Sequence, residues 1–326
     1  MANYLVTGIA GFIGSSLAHE LVKRGHFVRG VDNLATGNLG NLAGIRDKVD
    51  FRQADLLDLD AMRDACRDID YVLHQAAIPS VPRSVKDPIE SNRANVDGTL
   101  NILVAARDAK VRRMTYASSS SLYGESPTLP KHEAMLPDPI SPYAVSKLTG
   151  EYYMRSFYRV YGLETVSIRY FNVFGPRQDP TSMYSGVLAI FITKMLKGEP
   201  PTIHGDGEQS RDFTFIDNVV SGNLLACESP SDKVAGKYFN VATGSRVTLN
   251  YTYSVLQRLT GFATPPAYGP AREGDIKHSL ADVSLAQQHL NYRTLVNFED
   301  GLSRTVDWYR EAFPALAFAV SSRSER

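Results

Sequence analysis

Seven residues near the middle of the chain, Ser141-Pro-Tyr-Ala-Val-Ser-Lys147, combine a helix start with a pair of groups able to move protons. Ser141 is a good N-cap, and Pro142 suits the first helical position, where its missing N–H is not needed. Tyr143 and Lys147 are then i and i+4, stacked on one helical face. An ammonium beside a phenol favours the phenolate, which turns a tyrosine into a general acid/base near neutral pH. Tyr143 is the only one of the 17 tyrosines with a lysine four residues on. Taken alone, the pair also fits a surface tyrosine and a solvated lysine, so the elements that would position it must decide.

At the N-terminal end an apolar run at 3–7 enters Gly8-Ile-Ala-Gly11-Phe-Ile-Gly14. An amphipathic helix follows, with Phe12, Ile13, Leu17, Leu21 and Val22 on one face, and ends near Gly25. A second strand at 27–31 runs straight into Asp32. Strand, glycine turn, helix, strand and acid in this order form the βαβ dinucleotide unit. Gly8 makes the turn, Gly11 lets backbone N–H groups approach a pyrophosphate, and Gly14 packs helix on sheet. The helix N-terminus at Phe12 and Ile13 offers its positive end to the phosphates. Asp32 accepts a ribose 2′-hydroxyl and repels a 2′-phosphate, while Asn33 and Leu34 bring no arginine, so NAD is expected over NADP. A bound cationic nicotinamide ring would favour the Tyr143 phenolate further.

The next elements lead back to the tyrosine. A third strand at 51–54 ends in Asp55-Leu56, where Asp55 serves as an adenine contact, as the N-cap of a helix over 58–67, or as both. A fourth strand over 71–77 closes on Gln75, Ala76 and Ala77, small residues where backbone must lie near a cofactor. Arg83 follows on the loop at the carboxyl edge, as a substrate contact or a surface arginine. A long helix is expected over 89–110, with Asn95 either bridging strands and cofactor or capping the core. A fifth strand at 114–117 ends in four hydroxyls, Ser118 to Ser121, which read as site chemistry or as a serine–threonine turn. A hydroxyl beside Tyr143 can hold a substrate oxygen or relay its proton.

Composition sets the outer bounds. The 326 residues suffice for two lobes or one large α/β unit with an appendage. Acidic and basic residues balance at 35 each, so no global charge draws nucleic acid or an anionic membrane. Cys66 and Cys227 share no metal-like spacing and imply a reduced, cytoplasmic compartment. The seven histidines form no ligand pair, and no metal is expected. No 18-residue apolar run or basic-then-apolar leader occurs, so a soluble, unexported protein is expected. The polar end, 317–326, is expected to be disordered.

Taken jointly, the motifs make the chain resemble an extended short-chain dehydrogenase/reductase, and within that family the nucleotide-sugar 4-epimerases. Those motifs are Gly8-x-x-Gly11-x-x-Gly14, Asp32-Asn33, Asp55-Leu56, His74-Gln-Ala-Ala77, Ser118-Ser119, Tyr123-Gly124, Tyr143-x-x-x-Lys147, Arg169-Tyr-Phe-Asn172, Gly175-Pro176, Gly205-Asp-Gly207, Arg211-Asp212 and Arg272-Glu-Gly-Asp275. The resemblance implies Ser119 as the catalytic hydroxyl, four residues before the Tyr-Gly pair, and places Tyr170 at the cofactor. Ser120 and Ser121 stand where the family's dehydratases and decarboxylases carry carboxyl groups, which favours simple oxidation and re-reduction at C4. Asn172, Arg211 and Arg272 are implied as a clamp on the substrate diphosphate. Val187 and Leu188 supply helix N-terminal amides, Thr202 and His204 line the uridine, and Asp275 meets its ribose. Ser279 occupies a hexose-pocket wall where a tyrosine would crowd a 2-N-acetyl group.

The fold expected is α/β, a Rossmann-type doubly wound parallel sheet with a smaller, interleaved C-terminal substrate lobe. Residues 1–167 form the NAD-binding part, with returning segments near 213–243, and 168–212 plus 244–316 form the substrate lobe. The function implied is an NAD-dependent 4-epimerase of UDP-GlcNAc/UDP-GalNAc and of UDP-glucose/UDP-galactose. A UDP-glucuronate 4-epimerase or decarboxylase, a net dehydrogenase, and a non-catalytic NAD-binding scaffold are the alternatives. A homodimer packed through the helices at 89–110 and 142–161 is implied by the resemblance.

Overall fold

In the computed structural model the described residues are 1–179, 186–271 and 277–313. Seven parallel strands form the central sheet: β1 (Asn3–Thr7), β2 (Phe27–Asp32), β3 (Val49–Gln53), β4 (Tyr71–His74), β5 (Arg113–Ser119), β6 (Glu164–Tyr170) and β7 (Lys237–Val241). Their order is β7-β6-β5-β4-β1-β2-β3, so the direction of winding reverses between β1 and β4. That switch point opens a crevice beyond the carboxyl ends of the strands, the usual ligand position in open α/β sheets. Helices cover both faces, which is why the strands read as apolar runs: Tyr4, Leu5 and Val6 are all buried.

Helix α1 (Phe12–Lys23) buries Leu17, Ala18 and Leu21 against the sheet. The expected long helix over 89–110 is instead broken. Pro88–Asn92 and Gly98–Asp108 are α-helical, and Arg93–Asp97 between them is a π turn. The inserted residue lets Asn95 point inward, a device common at functional sites. Helix α2 (Pro142–Tyr161) starts as expected, with the Ser141 hydroxyl accepting from the Ala144 N–H at 3.2 Å and Pro142 in the first turn. It ends on Gly162, whose φ of +72° suits a left-handed C-cap.

The C-terminal half alternates between the sheet and a smaller lobe. β7 returns to the sheet edge beside β6, in register from Lys237–Val166 to Val241–Tyr170. The expected sheet return at 213–219 does not occur. Thr214–Phe215 pairs only with Val173–Phe174, and the chain then enters the helix Ile216–Glu228. Beside this two-residue ladder, Phe174 packs edge-on against both Phe213 and Phe215. The smaller lobe holds helix α3 (Val187–Leu196), the parallel pair Thr202–His204 with Ala267–Gly269, and Leu249–Thr260. Among the described residues no helix is long and apolar enough to cross a membrane.

Candidate active site

A single cleft of about 1540 Å³ runs from the glycine turn, across the carboxyl ends of the strands, to the smaller lobe. At its first end Gly8 leaves β1 with φ +68°, and its N–H donates to the Val31 carbonyl at 2.8 Å. A Cβ on Gly14 would sit 2.1 Å from the Gly8 carbonyl oxygen, so α1 can approach the turn only through glycine. On Gly11 a Cβ would meet that oxygen at 3.1 Å and nothing else, leaving this glycine's open side to the cleft. Gly11 is the N-cap of α1 and offers no side-chain acceptor, so the first amides of the helix remain available to an anion.

Asp32 ends β2, buried, with its carboxylate accepting from the Ala10 N–H at 2.9 Å and the Leu34 N–H at 2.8 Å. Asn33 donates to Asp55 at 2.8 Å, which ties the segments after β2 and β3 together at this end of the cleft. Asp55 is not a helix cap. That role belongs to Asp58, which accepts from the Ala61 N–H, while Asp55 accepts from Leu57 N–H in a local turn. Leu56, Gln75, Ala76, Ala77 and Tyr170 complete the wall. The Tyr170 hydroxyl donates toward Gln75 Oε1 at 3.1 Å and accepts from Asn223 at 2.8 Å. The turn, the uncapped helix and the Asp32 carboxylate together fit a dinucleotide with a free ribose 2′-hydroxyl.

Asn95 does not line the cleft. It is buried, its side-chain oxygen accepts from the Ile78 N–H at 2.8 Å, and its amide donates to the Ser146 hydroxyl at 3.1 Å. The bridge expected between strand and cofactor is therefore a bridge between the loop after β4 and α2. His74 lies beneath that loop, and burial pushes its pKa down to about 3. Thr99 donates its own proton to the Asn95 carbonyl at 2.6 Å, so His74 Nε2 donates to Thr99 and Nδ1 accepts from Thr7 at 2.7 Å. The imidazole is neutral, with the proton on Nε2.

Helix α2 delivers Tyr143 to the cleft wall, with Lys147 buried behind it. Its approach to β5 depends on Gly150, where a Cβ would lie 2.2 Å from the Tyr116 hydroxyl. A buried ion pair fixes the rotation of the helix: Arg169 on β6 grips Glu151 with two bonds of 2.9 and 2.8 Å, and Ser118 donates to the same carboxylate. Lys147, 3% exposed, donates to the Ala117 carbonyl at 2.8 Å, with its Nζ 5.9 Å from the Tyr143 ring centre. Burial pushes Lys147 down to about 7 and pushes the Tyr143 phenol above its ordinary value. The protein alone therefore does not hold the phenolate expected from the lysine. The Ser119 side chain is the influence that lowers the phenol.

Ser119 ends β5, and its Oγ accepts twice from Ser121, from the N–H at 3.1 Å and from the hydroxyl at 2.9 Å. Both of its lone pairs are then occupied, which leaves Ser119 a proton to donate into the cleft that Tyr143 also lines. Catalytic hydroxyl and serine turn, the two readings of this run, coexist in one residue. Ser120, Ser121 and Ser279 share the lining around it. Arg83 is on the rim and tied to Glu90 at 3.0 Å.

Beyond Asn172 the cleft continues into a second cavity of about 280 Å³, lined by Val187, Leu188, Thr202, His204 and Arg211, with Asn172 on both walls. Asn172 holds φ +34°, and its amide donates to the Asp212 carbonyl at 3.1 Å, which fixes it at the junction. Residues as far apart as Asn172 and Leu249 thus meet around one pocket. Arg272 and Asp275 lie outside the described residues. Several lining or supporting residues escape a reading of the sequence: Gln178 on both cavities, Lys131, and Ser84, whose hydroxyl accepts from the Tyr143 N–H at 3.0 Å. Their neighbours are distant in sequence, and no local motif marks them.

Residues 4–242 match the model of the NAD dependent epimerase/dehydratase family. The chain belongs to that family. NAD is its cofactor. A UDP-glucose 4-epimerase of Mycolicibacterium smegmatis is 38% identical over 310 residues, covering 94% of this chain and 98% of that protein. The structure of a UDP-N-acetylglucosamine 4-epimerase from Methanobrevibacter ruminantium, in complex with UDP-N-acetylmuramic acid, superposes with a TM-score of 0.91 at 38% identity, covering 96% of this chain and 99% of that one. The UDP-glucuronic acid 4-epimerase of Bacillus cereus, in complex with UDP-glucuronic acid and NAD, superposes with a TM-score of 0.87 at 33% identity, covering 95% of this chain and 100% of that one. Relatives of this family member thus act on neutral, acetylated and acidic sugars.

Proposed function

We propose that this enzyme interconverts UDP-GlcNAc and UDP-GalNAc, and also UDP-glucose and UDP-galactose, through a transient 4-keto sugar. The observation that carries the reading is that Ser119 and Tyr143 line one cleft, whose wall at 120, 121 and 279 carries only serine hydroxyls. No carboxyl group stands at 120 or 121 to drive elimination or decarboxylation, and a serine at 279 leaves volume beside the ring for a 2-acetamido group.

In this reading Tyr143 takes the proton of the C4 hydroxyl, directly or through Ser119, and later returns it. Bound NAD accepts hydride from C4 and gives it back, so there is no net redox change. Lys147 adds positive charge beside the phenol when protonated and is held by the Ala117 carbonyl at 2.8 Å. Asn172 and Arg211, at the mouth of the second cavity, are proposed to hold the diphosphate while the 4-keto ring turns over, and Arg272 and Asp275 are proposed to join them. A forked guanidinium suits phosphate oxygens. The N-terminal amides of the Val187–Leu188 helix start are proposed to bind phosphate, and the Thr202–His204 strand to take the uridine.

The test is incubation of purified protein with UDP-GlcNAc without added reductant, following products by chromatography. UDP-GalNAc at a constant equilibrium ratio, with no NADH accumulating, supports the reading. Conversion of UDP-galactose but not UDP-GlcNAc keeps the mechanism and removes the acetamido assignment. Inactivity on both, with turnover of UDP-glucuronate, replaces the substrate with a uronate.

A further inference from the structure

Lys131 is a buried amine on the cleft wall that the mechanism above does not use. It is 4% exposed and lines the main cleft. Its Nζ donates to the Ser126 carbonyl, one bond out of the three an ammonium can make. Burial lowers its pKa, and it forms no salt bridge with any described residue. Arg83, by contrast, has Glu90 as its counter-charge. An amine removed from water without a carboxylate costs stability, and such groups collect where they serve a ligand.

Its position is set by two segments far apart in the sequence. The Lys131 N–H donates to the Leu280 carbonyl at 2.8 Å, and the Asp282 N–H donates to the Lys131 carbonyl at 2.8 Å, pairing Lys131 with Ala281 in parallel. Ser279 stands two residues before that partner, on the same side of an extended strand, and also lines the cleft. The carbonyl that Lys131 binds, at Ser126, belongs to the loop that continues Ser119–Ser121. Lys131 therefore shares one cleft wall with the serine cluster and Ser279.

We propose that Lys131 is a specificity residue whose amine donates a hydrogen bond to the carbonyl oxygen of a 2-acetamido group seated against Ser279. The assignment rests on the substrate reading given above. Ser279 provides volume, and Lys131 provides a donor within that volume; volume alone would admit the acetylated sugar without preferring it.

The experiment compares kcat/KM of the NAD-loaded wild type, Lys131→Met and Lys131→Gln on UDP-GlcNAc, UDP-glucose and UDP-glucuronate, with melting temperature and bound NAD measured on each. Lys131→Met is expected to lose roughly tenfold or more on UDP-GlcNAc, the range of a hydrogen bond to a charged donor, and to keep its activity on UDP-glucose. Lys131→Gln, which still donates, is expected to recover part of the loss. An equal loss on both neutral sugars, or none on either, overturns the proposal in favour of a purely structural lysine. A loss confined to UDP-glucuronate overturns it in favour of a carboxylate contact. Wild-type protein inert on UDP-GlcNAc but active on UDP-glucose overturns the substrate reading itself, whatever the variants do.

Discussion

Ser121 donates two hydrogen bonds to Ser119, from its N–H at 3.1 Å and its hydroxyl at 2.9 Å, and so leaves Ser119 as a donor. The Ser119 side chain lowers the pKa of the Tyr143 phenol against the upward push of burial. The phenolate is the form that accepts a proton, so activity falls as pH drops below the tyrosine's effective pKa. Ser119→Ala is expected to move this acid limb of kcat to higher pH and to lower kcat by roughly 10²-fold, the lower range for a positioned proton-transfer group. Ser121→Ala keeps the backbone donor and frees one lone pair, so its limb should move the same way by less. A pH–rate profile of both variants checks this; an unmoved limb in Ser119→Ala would detach Ser119 from the phenol.

The two glycines of the turn should fail in different ways. A Cβ at Gly14 meets backbone at 2.1 Å, which cannot yield without displacing the turn, whereas at Gly11 the one contact is 3.1 Å. Gly14→Ala is expected to lower the melting temperature, since forced overpacking typically costs about 1–3 kcal/mol. Gly11→Ala is expected to fold normally and to lose bound NAD. Thermal denaturation, together with NAD released on acid precipitation, separates the outcomes. A Gly11→Ala protein that retains NAD stoichiometrically would remove the pyrophosphate from that corner.

Much of this site was legible because local chemistry dictates it. The Ser141 cap, the i,i+4 pair and the glycine turn before an acid-terminated strand each rest on a few adjacent residues. The parts that were not legible depend on distant partners. Asn95 reads from the sequence equally as a cofactor bridge and as a core cap, and only the π turn at Arg93–Asp97 directs it to Ser146 and Ile78. Phe213 to Val219 reads as a segment returning to the sheet, yet only Thr214–Phe215 forms a ladder, with Val173–Phe174 outside the main sheet. The effect of Lys147 on Tyr143 was read from spacing alone, which carries no information about burial. Burial brings the lysine down to about 7, so its charge near neutral pH is partial.

Acid sensitivity should trace in part to His74. Its neutral ring lies between Thr7 and Thr99, with the pKa pushed down from 6.5 to about 3. Between those values the unfolded chain binds a proton that the folded protein refuses. The contribution to stability is therefore fully present above pH 6.5 and is lost as pH falls toward about 3. The loss runs at up to roughly 1.4 kcal/mol per pH unit for this one group. His74→Phe should be less stable than wild type at pH 7, because Thr7 and Thr99 lose their partner, but its stability should decline less steeply between pH 6.5 and 4.5. Urea midpoints across that range provide the comparison, and parallel curves would assign the acid response to other groups.

The grip of Arg169 on Glu151 gives the last prediction, because it sets the rotation of the helix that carries both Tyr143 and Lys147. The pair is buried, with bonds of 2.9 and 2.8 Å, and Arg169 also donates to the Tyr123 hydroxyl at 2.9 Å. Removing one member leaves the other as an uncompensated buried charge, which typically costs about 3–5 kcal/mol. Glu151→Gln retains the shape and part of the hydrogen bonding, so it should fold, with a lowered melting temperature. Ser118 and Arg169 would then hold the helix less firmly against β5 and β6, and the Tyr143 hydroxyl would lose register with Ser119. The expected signature is a fall in kcat larger than any change in KM, because the second cavity is built from other elements. Were KM to rise alone with kcat intact, the pair would be supporting the substrate lobe rather than aligning the catalytic helix.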